Sequence, residues 1–282
     1  MNSVIIINKE KNMTSRDVVN KLCKLLHTRK IGHTGTLDPL ATGVLVVCTE
    51  RYTKLVDELT ALDKEYIAKI KLGIETDTLD ITGNILKECD VIPSKEEVLN
   101  VLNSFLGKNV QEVPKYSAIK INGKKLYEYA REGIDIELPK HEIDVFDIEL
   151  LDFINEEITF RVHVSKGTYI RSLVRDICYR LNTVGTMTSL ERTKQGKFKI
   201  KDSYSLKDVE NGNYKSLKLT DIFDYPILDL TDEQYERVKN GSSLKTDFPD
   251  GKVLLYYNNE EIAIYEVKDK IMTINVMIKI TQ

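Results

Sequence analysis

Tryptophan is absent from the 282 residues, and cysteine and histidine occur only four times each. The cysteines (Cys23, Cys48, Cys89, Cys178) are scattered with no CxxC pair. That spacing speaks against a disulfide framework or a zinc ribbon and fits a reducing cytosol. The histidines (His27, His33, His141, His163) are equally dispersed, so no metal-binding cluster is expected. No apolar run approaches a membrane span. Val4 to Ile7 ahead of Lys9 is too short for a secretory h-region, and a cytoplasmic location without membrane contact is expected. Neither a P-loop nor a strand–GxGxxG–helix unit occurs, which leaves no nucleotide cofactor to propose. An excess of positive charge is also missing: the formal net charge is −3.

The distribution of charge says more than its sum. Arg161 to Lys201 holds ten Lys/Arg against Asp176 and Glu191, a local net of +8. Ser203 to Gln282 holds ten basic against fourteen acidic residues, a net of −4. A second basic stretch places Lys115, Lys120, Lys124, Lys125 and Arg131 among Tyr116, Tyr127 and Tyr129. Cations interleaved with aromatic rings are the composition of a surface that meets a phosphate backbone and unstacked bases. Lys120, Lys124, Lys125, Arg131, Lys166, Arg175, Lys194 and Lys197 are the candidate backbone contacts.

Apolar content of 41% supports a sizeable core, and the length allows one large and one small domain. Ser3–Ile7 reads as a strand. Thr14 or Ser15 caps a helix with its stripe at Val18, Val19, Leu22, Cys23 and Leu26. Tyr66, Ala68, Ile70 and Leu72 alternate as a half-buried strand. Ser94 and Glu97 form a capping box, with Gly107 ending that helix. Asn122-Gly123 marks a tight turn, and Lys125–Glu132 is helical. Ile143–Leu151 pairs with Ile158–Val164. Ile170, Leu173, Val174, Ile177, Cys178 and Leu181 give a helical stripe. After Asp202 the pattern weakens into a Lys/Asn/Ser connector, and short strands return from Val253. The fold class is therefore α+β, a mixed or antiparallel sheet with flanking helices in residues 1–225, followed by a small β-rich module in residues 226–282.

Chemistry concentrates in Gly32-His33-Thr34-Gly35-Thr36-Leu37-Asp38-Pro39-Leu40-Ala41-Thr42-Gly43-Val44-Leu45. Three glycines, three threonines, a histidine and a carboxylate share this irregular segment. Asp-Pro alone is a common cap or turn, but a run this rich in special residues exceeds what a cap requires. Three further stretches accompany it: Asp63-Lys64-Glu65-Tyr66; Tyr116-Ser117-Ala118-Ile119-Lys120 through Gly133; and Ser165-Lys166-Gly167-Thr168-Tyr169-Ile170-Arg171-Ser172-Leu173.

In this order the four stretches resemble the TruB-type tRNA pseudouridine synthases. The resemblance implies a pseudouridine-synthase fold with a PUA-like C-terminal module. It also implies isomerisation of uridine 55 in the tRNA T-loop, with the base flipped out and without metal or other cofactor. Asp38 becomes the catalytic carboxylate, with Tyr66 against the target base. His33, Tyr169 and, from a weaker match in Ser189–Arg192, Leu190 become substrate contacts. The partner is the T-arm stem-loop, and the chain is expected to act as a monomer. One departure is the opening loop, where Asn8-Lys9-Glu10-Lys11-Asn12 lacks the family's Pro and Gly; Lys9 is a supporting residue at most.

Arg171 stands out physically as well. With Thr168 as the expected cap, Arg171 lies in the first helical turn, where a cation opposes the macrodipole at about 0.3–1 kcal/mol. Arg175 follows at i+4 with like charge. A local rule broken in this way points to function, here a two-bond grip on Asp38 that keeps it ionised. The carboxylate could attack C1′, attack the base or remove a ribose proton, and the residues do not choose among these. Two other readings stay open: a non-catalytic tRNA-folding protein, and a hydrolase with Asp38 as nucleophile.

Overall fold

The computed structural model describes residues 2–279. The chain begins with β1 (Ser3–Lys9), α1 (Ser15–Leu25), β2 (Ile31–His33) and β3 (Thr42–Thr49). A 3-10 turn and α2 (Val56–Thr60) lead to β4 (Lys64–Leu72), β5 (Ile74–Thr76), β6 (Ile85–Glu88), α3 (Lys95–Asn103) and β7 (Gly107–Glu112). Next come β8 (Lys120–Ile121), β9 (Lys124–Lys125), α4 (Leu126–Arg131), β10 (Lys140–Ile154), β11 (Glu157–Val164) and α5 (Ile170–Arg180). β12 (Gly185–Gln195), β13 (Phe198–Lys199), α6 (Leu206–Glu210) and α7 (Leu219–Ile222) follow. The C-terminal part holds β14 (Ile227–Asp229), α8 (Asp232–Val238), β15 (Leu244–Lys245), β16 (Gly251–Tyr257), β17 (Glu260–Lys268) and β18 (Ile271–Met277).

A nine-stranded sheet forms the body in the order β1-β3-β12-β4-β11-β10-β7, with β2 added to β3 and β13 to β12. Its pairings are antiparallel except where β12 meets β3. That join is parallel and only two residue pairs long, Glu191 with Thr42 and Arg192 with Gly43. A second sheet runs β14-β16-β17-β18-β15.

β1 and β3 read as unbroken apolar runs because both of their faces are covered. Ile5, Ile7, Leu45 and Val47 enter one core with α1, α3 and α5. Val4, Ile6, Val44, Val46 and Cys48 enter another with Leu219, Ile222, Leu254, Ile264, Val276 and Ile278. Carboxylates reinforce this second contact. Glu261 on β17 accepts hydrogen bonds from the Tyr52 hydroxyl and the Leu219 amide, and Glu58 accepts from the Tyr225 hydroxyl and Lys252.

The stripe of α1 and the alternation of β4 are as expected from the sequence. Asn122 and Gly123 both take positive φ, 51° and 83°, in a two-residue hairpin turn. Other expectations need correction. The helix capped by Ser94 ends at Asn103, and Gly107 opens β7 instead. Its φ of +86° is set by the entry into the strand. Thr168 is not the cap of α5: its hydroxyl donates back to the Ser165 carbonyl, and Tyr169 occupies the cap position. The segment after Asp202 is no plain connector. It forms α6 and α7 and bridges β1 at Leu217 and Tyr204.

Removing residues 226–282 is therefore expected to cost more than a binding module. It removes Leu254, Ile264, Val276 and Ile278 from the second core, each worth about 1.5–3 kcal/mol buried, against a typical domain stability of about 5–15 kcal/mol. A fragment ending at Tyr225 should lose its cooperative thermal transition when followed by circular dichroism. A fragment that melts as sharply and as high as the full chain would refute this.

Candidate active site

The segment from Thr34 to Ala41 leaves β2 and turns back into β3. Asp38 and Pro39 do not start a helix: the Ala41 amide donates to the Asp38 carbonyl at 3.0 Å, closing a turn. The turn is held from several directions. Ser15 at the start of α1 accepts from the Leu37 amide at 2.9 Å, and the Asn12 amide donates to the Pro39 carbonyl at 2.8 Å. Leu37, Leu40 and Ala41 are buried in the first core, which leaves the Asp38 side chain about one-third exposed at the surface of the turn.

Arg171, the second residue of α5, reaches this carboxylate with two bonds, Nε to Oδ2 at 2.9 Å and Nη2 to Oδ1 at 3.2 Å. Its remaining donors meet the Thr78 carbonyl and the Tyr116 carbonyl, both at 3.0 Å. The guanidinium is thus buried among four acceptors from three chain segments, and the planar fork suits a carboxylate. The absence of a side-chain cap on α5 is compensated by Gln111. Its carbonyl oxygen accepts from the Tyr169 amide at 2.8 Å, and its amide donates to the Tyr169 carbonyl at 3.1 Å. The like charge of Arg175 is neutralised by Asp176 and Glu112, at 2.8 and 3.2 Å.

Tyr66 lies on the core face of β4, in the apolar cluster that contains Leu37, Leu40, Ile170 and Leu190. Leu190 sits opposite Ala68 on β12, next to Tyr66. Tyr169 is partly buried and meets His141 edge-on, with ring centroids 6.2 Å apart. Burial pushes its hydroxyl pKa up, against the opposing influence of Ser117 and Arg171. His33 lies in β2 opposite Val47, with its Nδ1 buried and unpaired among the described residues. Burial, then the charges of Arg192 and Arg16, hold its imidazole below the usual histidine range. Lys9 is fully buried, donates to the Glu10 and Met13 carbonyls, and is lowered to about 8 chiefly by burial.

Three contributors were not anticipated. The Thr78 carbonyl belongs to a loop shaped by Asp80, whose carboxylate accepts from Thr78 and Thr82. Arg192 and Gln195 on β12 are buried and bond to backbone carbonyls of the motif segment. Backbone acceptors leave no mark in a sequence. Arg192, however, stands within Ser189–Arg192, where only Leu190 drew attention.

The family model for TruB family pseudouridylate synthase, N-terminal domain, matches residues 23–170. The chain belongs to this family. A TruB-family relative from Lactobacillus acidophilus, tRNA pseudouridine synthase B, is 40% identical over 99% of this chain and 98% of its own length. The protein of that name from Clostridium tetani is 45% identical, over 87% and 86% of the two chains. Among solved structures, a Cbf5-Nop10-Gar1 complex gives a TM-score of 0.72 at 25% identity, covering 97% of this chain and 83% of that one.

In this TruB-family chain part of the positive charge of Arg161–Lys201 is paired or internal. Arg161 is ringed by Glu65, Asp147 and Glu149, Lys197 pairs with Asp224, and Arg192 is internal. Lys166 and Lys194 form no salt bridge among the described residues, and Lys166 is exposed. The hairpin and α4 present the other group: Lys120 is exposed, Lys124 lies over the Tyr129 ring, and Lys125 and Arg131 lie against the Tyr127 ring.

Gly43 is the tightest point of the site. Its φ is +99°, and a Cβ there would stand 2.3 Å from the Arg192 carbonyl oxygen. Gly43→Ala is expected to destabilise the protein by about 3 kcal/mol or more, from backbone strain plus the clash. Urea unfolding of the purified variant measures this, and a loss below about 1 kcal/mol would contradict it.

Proposed function

We propose that this protein converts uridine 55 in the T-loop of tRNA to pseudouridine, with Asp38 as the catalytic carboxylate. The observation that carries the proposal is the two-bond grip of Arg171 on Asp38, a carboxylate inside the segment that matches the family model. The names of the relatives supply tRNA as the substrate class. The reaction breaks the N1–C1′ bond and makes a C5–C1′ bond at the same ribose; a proton leaves C5 and one is gained at N1. It needs no net oxidation, and an anion beside the sugar can drive it.

The side chains divide the work. Arg171 holds Asp38 in place with two bonds, and with two carbonyls on the same guanidinium it leaves that group little freedom. Tyr66, Leu190 and Tyr169 offer apolar and aromatic surface to a base taken out of its stack, which offsets a few kcal/mol of unstacking. His33, kept neutral, adds bulk without charge. The tyrosine-backed cations of the hairpin and α4, with Lys166 and Lys194, face phosphates, whereas Arg175 and Lys197, expected there from the sequence, are engaged by carboxylates instead. We assign the C-terminal segment, residues 226–282, to RNA contact outside the T-loop, and place the protein in the cytoplasm as a monomer.

A T-arm stem-loop labelled in uridine, followed by nucleoside analysis, tests the assignment. The wild type should convert the target uridine, and Asp38→Asn should lower turnover at least about a thousandfold, or ~4 kcal/mol of barrier, with affinity within threefold. Binding without conversion by the wild type would favour a tRNA-folding role instead. Arg171→Lys should lower kcat about a hundredfold with little change in affinity, because a point charge cannot reproduce the fork. Equal losses in kcat and affinity would make Arg171 a phosphate contact.

A further inference from the structure

We propose that Arg192 is a positioning residue for Asp38, its guanidinium closing the loop 35–44 by bridging the carbonyls at its two ends. The proposal rests on the reading of Asp38 as the catalytic carboxylate. Arg192 Nε donates to the Val44 carbonyl at 2.6 Å, and Nη2 donates to the Gly35 carbonyl at 3.1 Å. Asp38 lies between these two points. The same residue's backbone pairs with Gly43 on one side and with Tyr66 on the other. One residue thus touches both ends of the loop that carries the carboxylate and the strand position of the neighbouring tyrosine, without touching the carboxylate itself.

Stability alone does not account for this arginine. It is only 1% exposed and forms no salt bridge among the described residues. A buried cation without a carboxylate is costly, and an apolar side chain of similar volume often serves the fold as well or better. Its neighbours make the placement harder, since its charge helps to lower Lys9, Lys64 and His33. What the charge supplies is two directed donors aimed at the Val44 and Gly35 carbonyls. Gln195, three residues on, does the same one step earlier, donating to the Thr34 carbonyl at 3.0 Å, the Thr34 hydroxyl at 2.6 Å and the Leu59 carbonyl at 2.9 Å. Gly35 and Gly43 fit the same device: a Cβ on Gly35 would stand 3.4 Å from Arg192 Nη1, and one on Gly43 would strike the Arg192 backbone.

The test compares the wild type with Arg192→Met and Arg192→Lys on the T-arm stem-loop. Methionine should keep the circular dichroism spectrum and KM within threefold of wild type, while kcat falls at least thirtyfold. Lysine can reach one carbonyl but not both, so its kcat should fall between the two. A folded methionine variant with kcat within threefold of wild type overturns the proposal. So does a rise in KM at unchanged kcat, which would make Arg192 an RNA contact. If methionine does not fold, the lysine variant decides: a lower kcat at constant KM supports the proposal, and an unchanged kcat overturns it. Hydrogen exchange reads the loop directly. Amides 36–43 should exchange at least tenfold faster in the folded variants, and unchanged exchange overturns loop closure even if the wild type converts no uridine.

Discussion

A single buried guanidinium organises this molecule. Arg171 satisfies its donors on Asp38, on the Thr78 carbonyl and on the Tyr116 carbonyl, so three loops remote in sequence converge on one planar group. Each partner is needed by the others. A buried arginine without its carboxylate would carry an uncompensated charge, and the two carbonyls would lose donors that no strand supplies. The geometry of the site follows from this electrostatic requirement. The helix that presents Arg171 starts without a side-chain cap because its first turn is committed to the site, and Gln111 is placed to hold the backbone of the residue before it.

The second organising feature is that β1 and β3 serve two cores at once. Alternate residues of the same strand pack against the helices and against the C-terminal sheet. Motif segment, body and C-terminal part are therefore joined through the strand that directly follows Asp38. The second core is tied at its rim by Glu58, which accepts from Lys252, and by Glu261, which accepts from Tyr52, each bond joining the body to the C-terminal part.

Much of this was legible in the chain. The alternation in β4 placed Tyr66 on the covered face. The cation in the first turn of α5 marked Arg171 because it defied the helix dipole. Other features were hidden for definable reasons. β12 reads as a polar stretch, Thr-Ser-Leu-Glu-Arg-Thr-Lys-Gln, yet Arg192 and Gln195 are buried because loop carbonyls receive them. The Thr78 and Tyr116 acceptors are backbone atoms, present at every residue. The basic run from Arg161 to Lys201 overstated the field it projects. Its carboxylate partners Glu65, Glu112, Asp147 and Glu149 lie outside any window around it. The helix predicted to run to Gly107 stopped early because a glycine with positive φ serves the start of a strand as well as the end of a helix.

The parallel join between β3 and β12, only two residue pairs long, gives the ion pair a mechanical meaning. It is a seam: β1, β2 and β3 lie on one side, and β12, β4, β11, β10 and β7 on the other. Asp38 hangs from the first side, while Arg171 and Tyr66 belong to the second. Besides those two backbone pairs, the Asp38–Arg171 pair and the bonds of Arg192 and Gln195 to the Val44, Gly35 and Thr34 carbonyls run from one side to the other. Side chains thus stitch the sheet along its thinnest line, where strand pairing is shortest, and the Asp38–Arg171 ion pair is one of those stitches.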